Sequence, residues 1–157
     1  MEASTDHTQN SNNQHDLIEA LKAQSLIREN DIALEFAKFV RVERVRPGHH
    51  VIDKGAADND LIFILAGEFL VTIGKEPIAR CSQGEHVGEM ALVDPGVERS
   101  ATVTAASDSL IARISEPEFS AIADRFPGLW RRLAAELARR LRETAHPGRV
   151  KSPHRAV

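Results

Sequence analysis

The sequence has a single cysteine in 157 residues, Cys81. One thiol excludes an intramolecular disulfide framework and a zinc site built from cysteines, and this favours a reducing compartment. Long apolar runs are also missing, since no stretch approaches the roughly 20 apolar residues that span a bilayer. We therefore expect a cytoplasmic protein without a membrane span, in which Cys81 is a small buried residue on a strand.

The chain also lacks a strong charge of either sign, because 20 Lys and Arg residues stand against 23 Asp and Glu residues, for a net charge of −3. This balance does not favour a nucleic-acid partner. Residues 131–157 carry a local basic surplus, which we interpret as a solvated helix face followed by a loose tail. Electrostatic contact with nucleic acid or an acidic protein is the alternative for that segment.

Hydrophobic patterning divides the chain into a helical start, a β-rich middle and a helical end. Residues 1–14 are polar and predict a disordered tail, whereas apolar residues at helical spacing predict a small helical subdomain over 15–41. From 42 to 114, short β-type runs separated by Gly and Pro turns predict seven or eight strands, which is typical of a closed roll. Two helices are predicted over 115–145 and a flexible basic tail over 146–157.

The boundaries of the two C-terminal helices are marked in the sequence. Ser115 and Glu118 have the spacing of a capping box, so the first helix should begin there and end at Arg125. A Pro-Gly pair then separates it from a second helix over Leu129–Thr144. An apolar stripe is predicted on that helix, formed by Trp130, Leu133, Leu137 and Leu141.

The most informative stretch is 84–104, where glycines lead into a short Glu-Met-Ala-Leu turn and a Pro-Gly loop brings Arg99 back before the strand Thr102–Thr104. Gly88 allows backbone amides to approach a ligand closely, and the turn after it points free amides at negative charge. Arg99 supplies a planar fork of donors that suits a phosphate, and Glu89 is an acceptor suited to sugar hydroxyls. The stretch predicts a site for a phosphorylated ribose.

These motifs resemble the cyclic nucleotide-binding domains of bacterial catabolite activators, protein kinase A regulatory subunits and nucleotide-gated channels. The family's phosphate-binding cassette, Gly-Glu-x-Ala-Leu, a short loop and Arg-(Ser/Ala/Thr)-Ala, stands here at 88–92 and 99–101. The similarity covers roughly residues 17–145, and two halves at the expected spacing are more specific than a lone glycine motif. It implies an α+β, mainly β, fold: an eight-stranded antiparallel, jelly-roll-like β-roll with N-terminal helices and two C-terminal helices.

The resemblance also implies the ligand contacts. Glu89 would hold the ribose 2′-hydroxyl, while Arg99 and Ser100 would hold the cyclic phosphate. The rest of the expected site consists of backbone amides, apolar walls for the base and one contact to the base, which are Gly88, Met90, Ala91, Val71, Val87 and Thr144. No catalytic residue, metal or cofactor is expected.

A switch is implied as well. An apolar residue at Leu92 would pack on an aromatic one at Phe119, so that movement of the cassette toward the phosphate lets the C-terminal helices swing over the base. Ser100 resembles the cAMP-binding activators, so we expect cAMP, with cGMP as the second candidate ligand. The match stops before a helix-turn-helix domain. We therefore expect a stand-alone regulatory domain that acts through a homodimer or an unknown effector protein.

The residues leave two other functions open. A β-roll also occurs in metal-dependent cupin enzymes, but neighbouring His49 and His50 point to opposite faces of a strand, and His86 alone is not a metal site. The second alternative is a roll that has lost its ligand and serves as an interaction surface, with Glu89 and Arg99 as a structural ion pair. We disfavour it because an unused phosphate site would leave a buried arginine without an anion.

Overall fold

The structure, a computed structural model, describes residues 4–144, with side chains described for residues 9–143. Across this part of the chain, eight strands form two four-stranded antiparallel sheets, with helices before and after them, which confirms the expected β-roll. The elements are α1 Ser4–Lys22, α2 Asn30–Ala37, β1 Arg41–Val45, β2 His50–Ile52, β3 Leu61–Ala66, β4 Glu68–Ile73, β5 Glu76–Ser82, β6 His86–Val87, α3 Met90–Val93, β7 Thr102–Ala105, β8 Ser109–Ile114, α4 Glu116–Arg125 and α5 Gly128–Thr144.

The two sheets have the strand orders β1-β8-β3-β6 and β2-β7-β4-β5. Strand β3 is a continuous apolar run because both of its faces are covered. Leu61, Phe63 and Leu65 pack with the helices, whereas Ile62 and Ile64, which point the other way, pack inside the roll. The period-two alternation of a strand thus divides one apolar run between two core clusters.

Aromatic rings connect the helices across the first of these clusters. Phe36 on α2 lies 5.5 Å from Phe63 on β3 and 5.8 Å from Phe119 on α4, measured between ring centroids. Phe119 in turn contacts Trp130 on α5 at 5.5 Å. Edge-to-face and tilted arrangements of this kind are favourable aromatic contacts. They fix α4 and the start of α5 against the outer face of the roll.

Several local expectations are confirmed. Ser115 accepts a hydrogen bond from the backbone N–H of Glu118, and the Glu118 carboxylate accepts one from the backbone of Ser115, which completes the capping box. Both C-terminal helices begin within one residue of the predicted start and end at the predicted residue. Cys81 is buried on β5, and burial raises the pKa of its thiol to about 12.

The start of the chain differs from the expected disordered tail over 1–14, because α1 already begins at Ser4. Polar composition suggested disorder, yet no glycine or proline interrupts residues 4–22. The segment therefore contains no helix breaker. Leu21, near the end of α1, is buried and anchors the helix in the core. The basic tail predicted over 146–157 lies outside the described residues.

The apolar stripe of α5 follows the prediction only over its first half. Leu133 is buried and Leu137 is partly buried, but Leu141 is 72% exposed. Residues four apart advance about 40° around a helix at each step, so a stripe built on that spacing turns away from a flat surface. Arg140, not Leu141, is the buried residue at this end of α5.

None of the described helices is long and apolar enough to cross a membrane.

Candidate ligand-binding site

Gly88 joins β6 to the short helix α3 in a conformation that only glycine adopts readily, with φ at +93°. A Cβ atom at this position would lie 2.7 Å from the carbonyl oxygen of Asp60 and 2.9 Å from Nη1 of Arg99. The glycine therefore lets two backbone segments and a guanidinium meet at one point. Its own carbonyl oxygen accepts a hydrogen bond from Arg99 Nη1 at 3.1 Å.

Arg99 is 4% exposed and is held on several sides. Its Nη2 donates to Asp58 Oδ2 at 2.8 Å and to the carbonyl oxygen of Asp60 at 2.6 Å, while Nε donates to Asp58 Oδ1 at 3.4 Å. Backbone hydrogen bonds to Gly55 and Ala56 fix the residue against the same loop. The hydrogen bonds from Arg99 outweigh partial burial and hold the pKa of Asp58 below its usual range.

Asp58 is an anion within the protein that lies beside the buried Arg99. From the sequence alone, a ligand-free roll is disfavoured because the buried Arg99 would have no anion beside it. The carboxylate of Asp58 supplies that anion from 41 residues away in the sequence. The charge of Arg99 is therefore compensated without a ligand, and burial of this arginine alone does not demonstrate that the site is used.

A small cavity brings four of the expected contact residues together. Met90, Ala91, Arg99 and Ser100 line a space of about 50 Å³. This volume is well below the roughly 300–1,000 Å³ of pockets that enclose whole ligands, so it has room for only part of a nucleotide. Met90 lies at its rim and is 46% exposed.

The expected walls for the base lie elsewhere. Val71 and Val87 are buried in the core cluster inside the roll and are not among the residues that line this cavity. Thr144 ends α5, but its side chain lies outside the described ones. Leu92 and Phe119, the expected switch pair, are both buried in the first core cluster.

Glu89 is 1% exposed and forms an ion pair with Arg140 of α5, not with Arg99. Its Oε2 also lies 3.6 Å from Nδ1 of His86. The structural pair between Glu89 and Arg99 considered above is therefore not what the structure shows, because each residue has a different partner of opposite charge. Burial lowers the pKa of Arg140, in opposition to nearby acidic groups.

A second contact connects α5 to β6, the strand that leads into the cassette. Nε2 of the buried His86 lies 2.7 Å from Glu136 Oε2, and the hydroxyl of Ser25 donates to the other oxygen of Glu136 at 3.0 Å. Burial opposes ionisation of Glu136, but the contacts with His86, Ser25 and Arg139 outweigh it and hold the pKa of Glu136 below its usual range. The middle of α5 is thus attached to β6, which leads into the cassette.

Sequence reasoning missed Asp58, Arg140 and the role of His86. Arg140 had a detectable signal, because it precedes Thr144 by four residues and so lies on the same face of α5. The sequence presents His86 only as a candidate metal ligand. Among the described residues, no group of three or more His, Cys, Asp or Glu converges to hold a metal, and His49 and His50 are exposed.

Comparison with known proteins identifies the family of this chain. The family of cyclic nucleotide-binding domains matches residues 42–126, more than half of the chain. The chain therefore belongs to the cyclic nucleotide-binding domain family.

Individual relatives include bacterial proteins named as an effector and as a transcriptional regulator. The chain is 43% identical over 127 residues to the Pycsar effector protein BcPycTIR of Burkholderia cepacia, covering 80% of this chain and 42% of that protein. It is 36% identical over 100 residues to the cAMP-activated global transcriptional regulator CRP of Escherichia coli, covering 60% of this chain and 48% of that protein. The chain thus spans less than half the length of these curated relatives.

Among solved structures, the catabolite activator protein of Thermus thermophilus is similar to this chain with a TM-score of 0.70. The two are 27% identical, and the match covers 78% of this chain and 60% of the other.

Substitution of Gly88 should disrupt the cassette. We expect Gly88→Ala to cost about 2–4 kcal/mol of unfolding free energy, because it combines a positive φ with a clash against the Asp60 carbonyl. Gly74→Ala is the matched control, since Gly74 also has a positive φ but has open space where the Cβ would lie. Urea unfolding followed by circular dichroism measures both, and equal losses would contradict the close approach at Gly88.

Proposed function

We propose that this domain is a regulatory cyclic-nucleotide sensor that prefers cAMP, with cGMP as the second candidate, and that signals through its C-terminal helix without catalytic chemistry. The observation that carries the proposal is the buried guanidinium of Arg99 at a cavity it shares with Ser100 and the first turn of α3. A fork of N–H donors beside a hydroxyl and turn amides is suited to a phosphate. Glu89, nearby in the sequence, supplies the acceptor for a ribose hydroxyl.

The preference for cAMP rests on Ser100 and on one relative. A serine after the cassette arginine resembles the cAMP-binding activators, and the Escherichia coli relative is by name a cAMP-activated regulator. The phosphate and ribose contacts are common to all ribose cyclic nucleotides. Selectivity therefore depends on the base, for which Val71, Val87 and Thr144 are the proposed contacts.

Helix α5 is the proposed output. Arg140 contacts the carboxylate that we assign to the ribose, so a bound nucleotide and α5 meet at Glu89. A ligand shifts the position of α5 only to the extent that it binds one arrangement more tightly than another. Direct contact of the ribose or base with α5 provides that difference in affinity.

The receiver of the signal is an effector protein or a second copy of this chain, and the location is cytoplasmic. The relative from Burkholderia cepacia is named an effector protein, which supports transmission to an effector segment in the same or another chain. Neither a nucleic-acid partner nor a membrane span enters this proposal.

Calorimetric titration with cAMP, cGMP, cCMP and cUMP identifies the ligand. The same titration of Arg99 variants tests whether Arg99 belongs to the binding site. Arg99→Ala should cost about 2–5 kcal/mol of binding free energy, because the phosphate loses its charged partner. Arg99→Lys should restore only part of that loss, since an ammonium group cannot form the fork. The exposed Arg46 provides the control variant Arg46→Ala, which removes the same charge. Unchanged affinity in Arg99→Ala would remove Arg99 from the site, and no saturable heat with any of the four nucleotides would overturn the function.

Hydrogen exchange tests the output helix. Saturating nucleotide should increase amide protection over residues 129–143 and change the fluorescence of Trp130, because α5 would be held more often against the cassette. Leu92→Ala should keep much of the binding but weaken this protection, since it loosens the packing between the cassette turn and α4. Exchange of α5 that is identical with and without bound nucleotide would leave a binding domain without this signalling mechanism.

A further inference from the structure

The guanidinium of Arg99 has little hydrogen-bonding capacity to spare. It carries five N–H groups. Two bind the carboxylate of Asp58, one binds the carbonyl oxygen of Asp60, and one binds the carbonyl oxygen of Gly88. Within the described part of the chain, one N–H on Nη1 is left for a ligand. A phosphate that binds Arg99 through two parallel hydrogen bonds must therefore displace an acceptor that is already present.

Of the three acceptors, Asp58 is the easiest to displace. The carbonyl oxygens of Gly88 and Asp60 belong to backbone segments packed against each other, with no space even for a methyl group at Gly88. The Asp58 side chain is 43% exposed, and its contact with Nε is the longest of the set at 3.4 Å. A released carboxylate gains water in place of Arg99, whereas a displaced buried carbonyl would lose its partner outright.

The loop around Asp58 allows this movement without unfolding. Backbone hydrogen bonds join Gly55 and Ala56 to Arg99 on one side, and the contact between the Asp60 carbonyl and Arg99 holds the other side. Only the Asp58 side chain between these anchors has to rotate toward solvent. Its departure is also favoured electrostatically, because two anions that share one guanidinium repel each other.

We propose that Asp58 is an internal anion that occupies Arg99 until the ligand phosphate displaces it, and that Asp58 thereby sets the affinity of the site. This inference rests on the proposed function of Arg99 as the phosphate contact. It assigns to Asp58 a competing role: the carboxylate stabilises the empty site and reduces the affinity for the ligand. In the opposite role, Asp58 would orient Arg99 both in the empty and in the occupied site. Substitution of Asp58 would then weaken ligand binding and would not strengthen it.

Asp58→Asn is the informative variant, because asparagine keeps the size of the side chain and can still accept one hydrogen bond. It should bind cAMP about tenfold more tightly than the unmodified protein, since a neutral amide is more easily displaced by a phosphate. The melting temperature without ligand should fall, because Arg99 loses its compensating charge. Asp94→Asn is the matched control, since it removes an exposed negative charge from the cassette loop without contacting Arg99.

The outcomes separate this inference from the proposed function. Tighter binding of cAMP by Asp58→Asn, with Asp94→Asn unchanged and the gain lost when Arg99→Ala is added, supports the inference. Equal or weaker binding by Asp58→Asn, or a gain that persists with Arg99→Ala, overturns it. If the unmodified protein binds no cyclic nucleotide, the proposed function fails, and thermal stabilisation by millimolar inorganic phosphate decides the inference. If phosphate stabilises Asp58→Asn more than it stabilises the unmodified protein and Asp94→Asn, the inference is supported. Equal stabilisation of all three proteins overturns it.

Discussion

Two charged side chains are buried at the cassette, the guanidinium of Arg99 and the carboxylate of Glu89, and an ionised group in such a place needs an opposite charge beside it. Their partners come from different parts of the chain. Asp58 reaches Arg99 from the loop between β2 and β3, and Arg140 reaches Glu89 from α5. The need to compensate two buried charges therefore ties the cassette both to the roll and to the terminal helix.

This arrangement gives a ligand two places to act. A cyclic nucleotide carries a phosphate, which competes with Asp58 for Arg99, and a ribose hydroxyl, which meets Glu89 beside Arg140. The first interaction governs the cost of filling the site, and the second connects occupancy to α5. Because His86 and Glu136 form a further contact between the same helix and β6, a change at the cassette reaches α5 through more than one side chain.

Much of the fold could be predicted because its signals are local. Glycines and prolines mark the turns, Ser115 and Glu118 mark a helix start, and the two halves of the cassette are short motifs at fixed spacing. The extended α1 and the exposed Leu141 could not be predicted in this way. The first depends on the absence of a helix breaker in a polar segment, and the second on how far a helix turns relative to the surface beneath it.

The charge pairs of the site lay further beyond sequence reasoning. The partners of Arg99 and Glu89 come from distant segments, and several acidic residues in the roll and several arginines in α5 were equally plausible choices. Only the three-dimensional structure selects Asp58 and Arg140. Because Asp58 is the anion beside Arg99, a ligand-free roll would not leave this buried arginine uncompensated. A phosphate can therefore reach Arg99 fully only by competing with Asp58.

The most direct test of this account is a crystal structure of the protein with the cyclic nucleotide that binds most tightly in solution. The account predicts phosphate oxygens within hydrogen-bonding distance of Arg99 and Ser100, the ribose 2′-hydroxyl on Glu89, and the Asp58 carboxylate turned away from the guanidinium. A nucleotide bound elsewhere on the roll, with Arg99 still paired to Asp58 and no phosphate beside it, would contradict the assignment of the site.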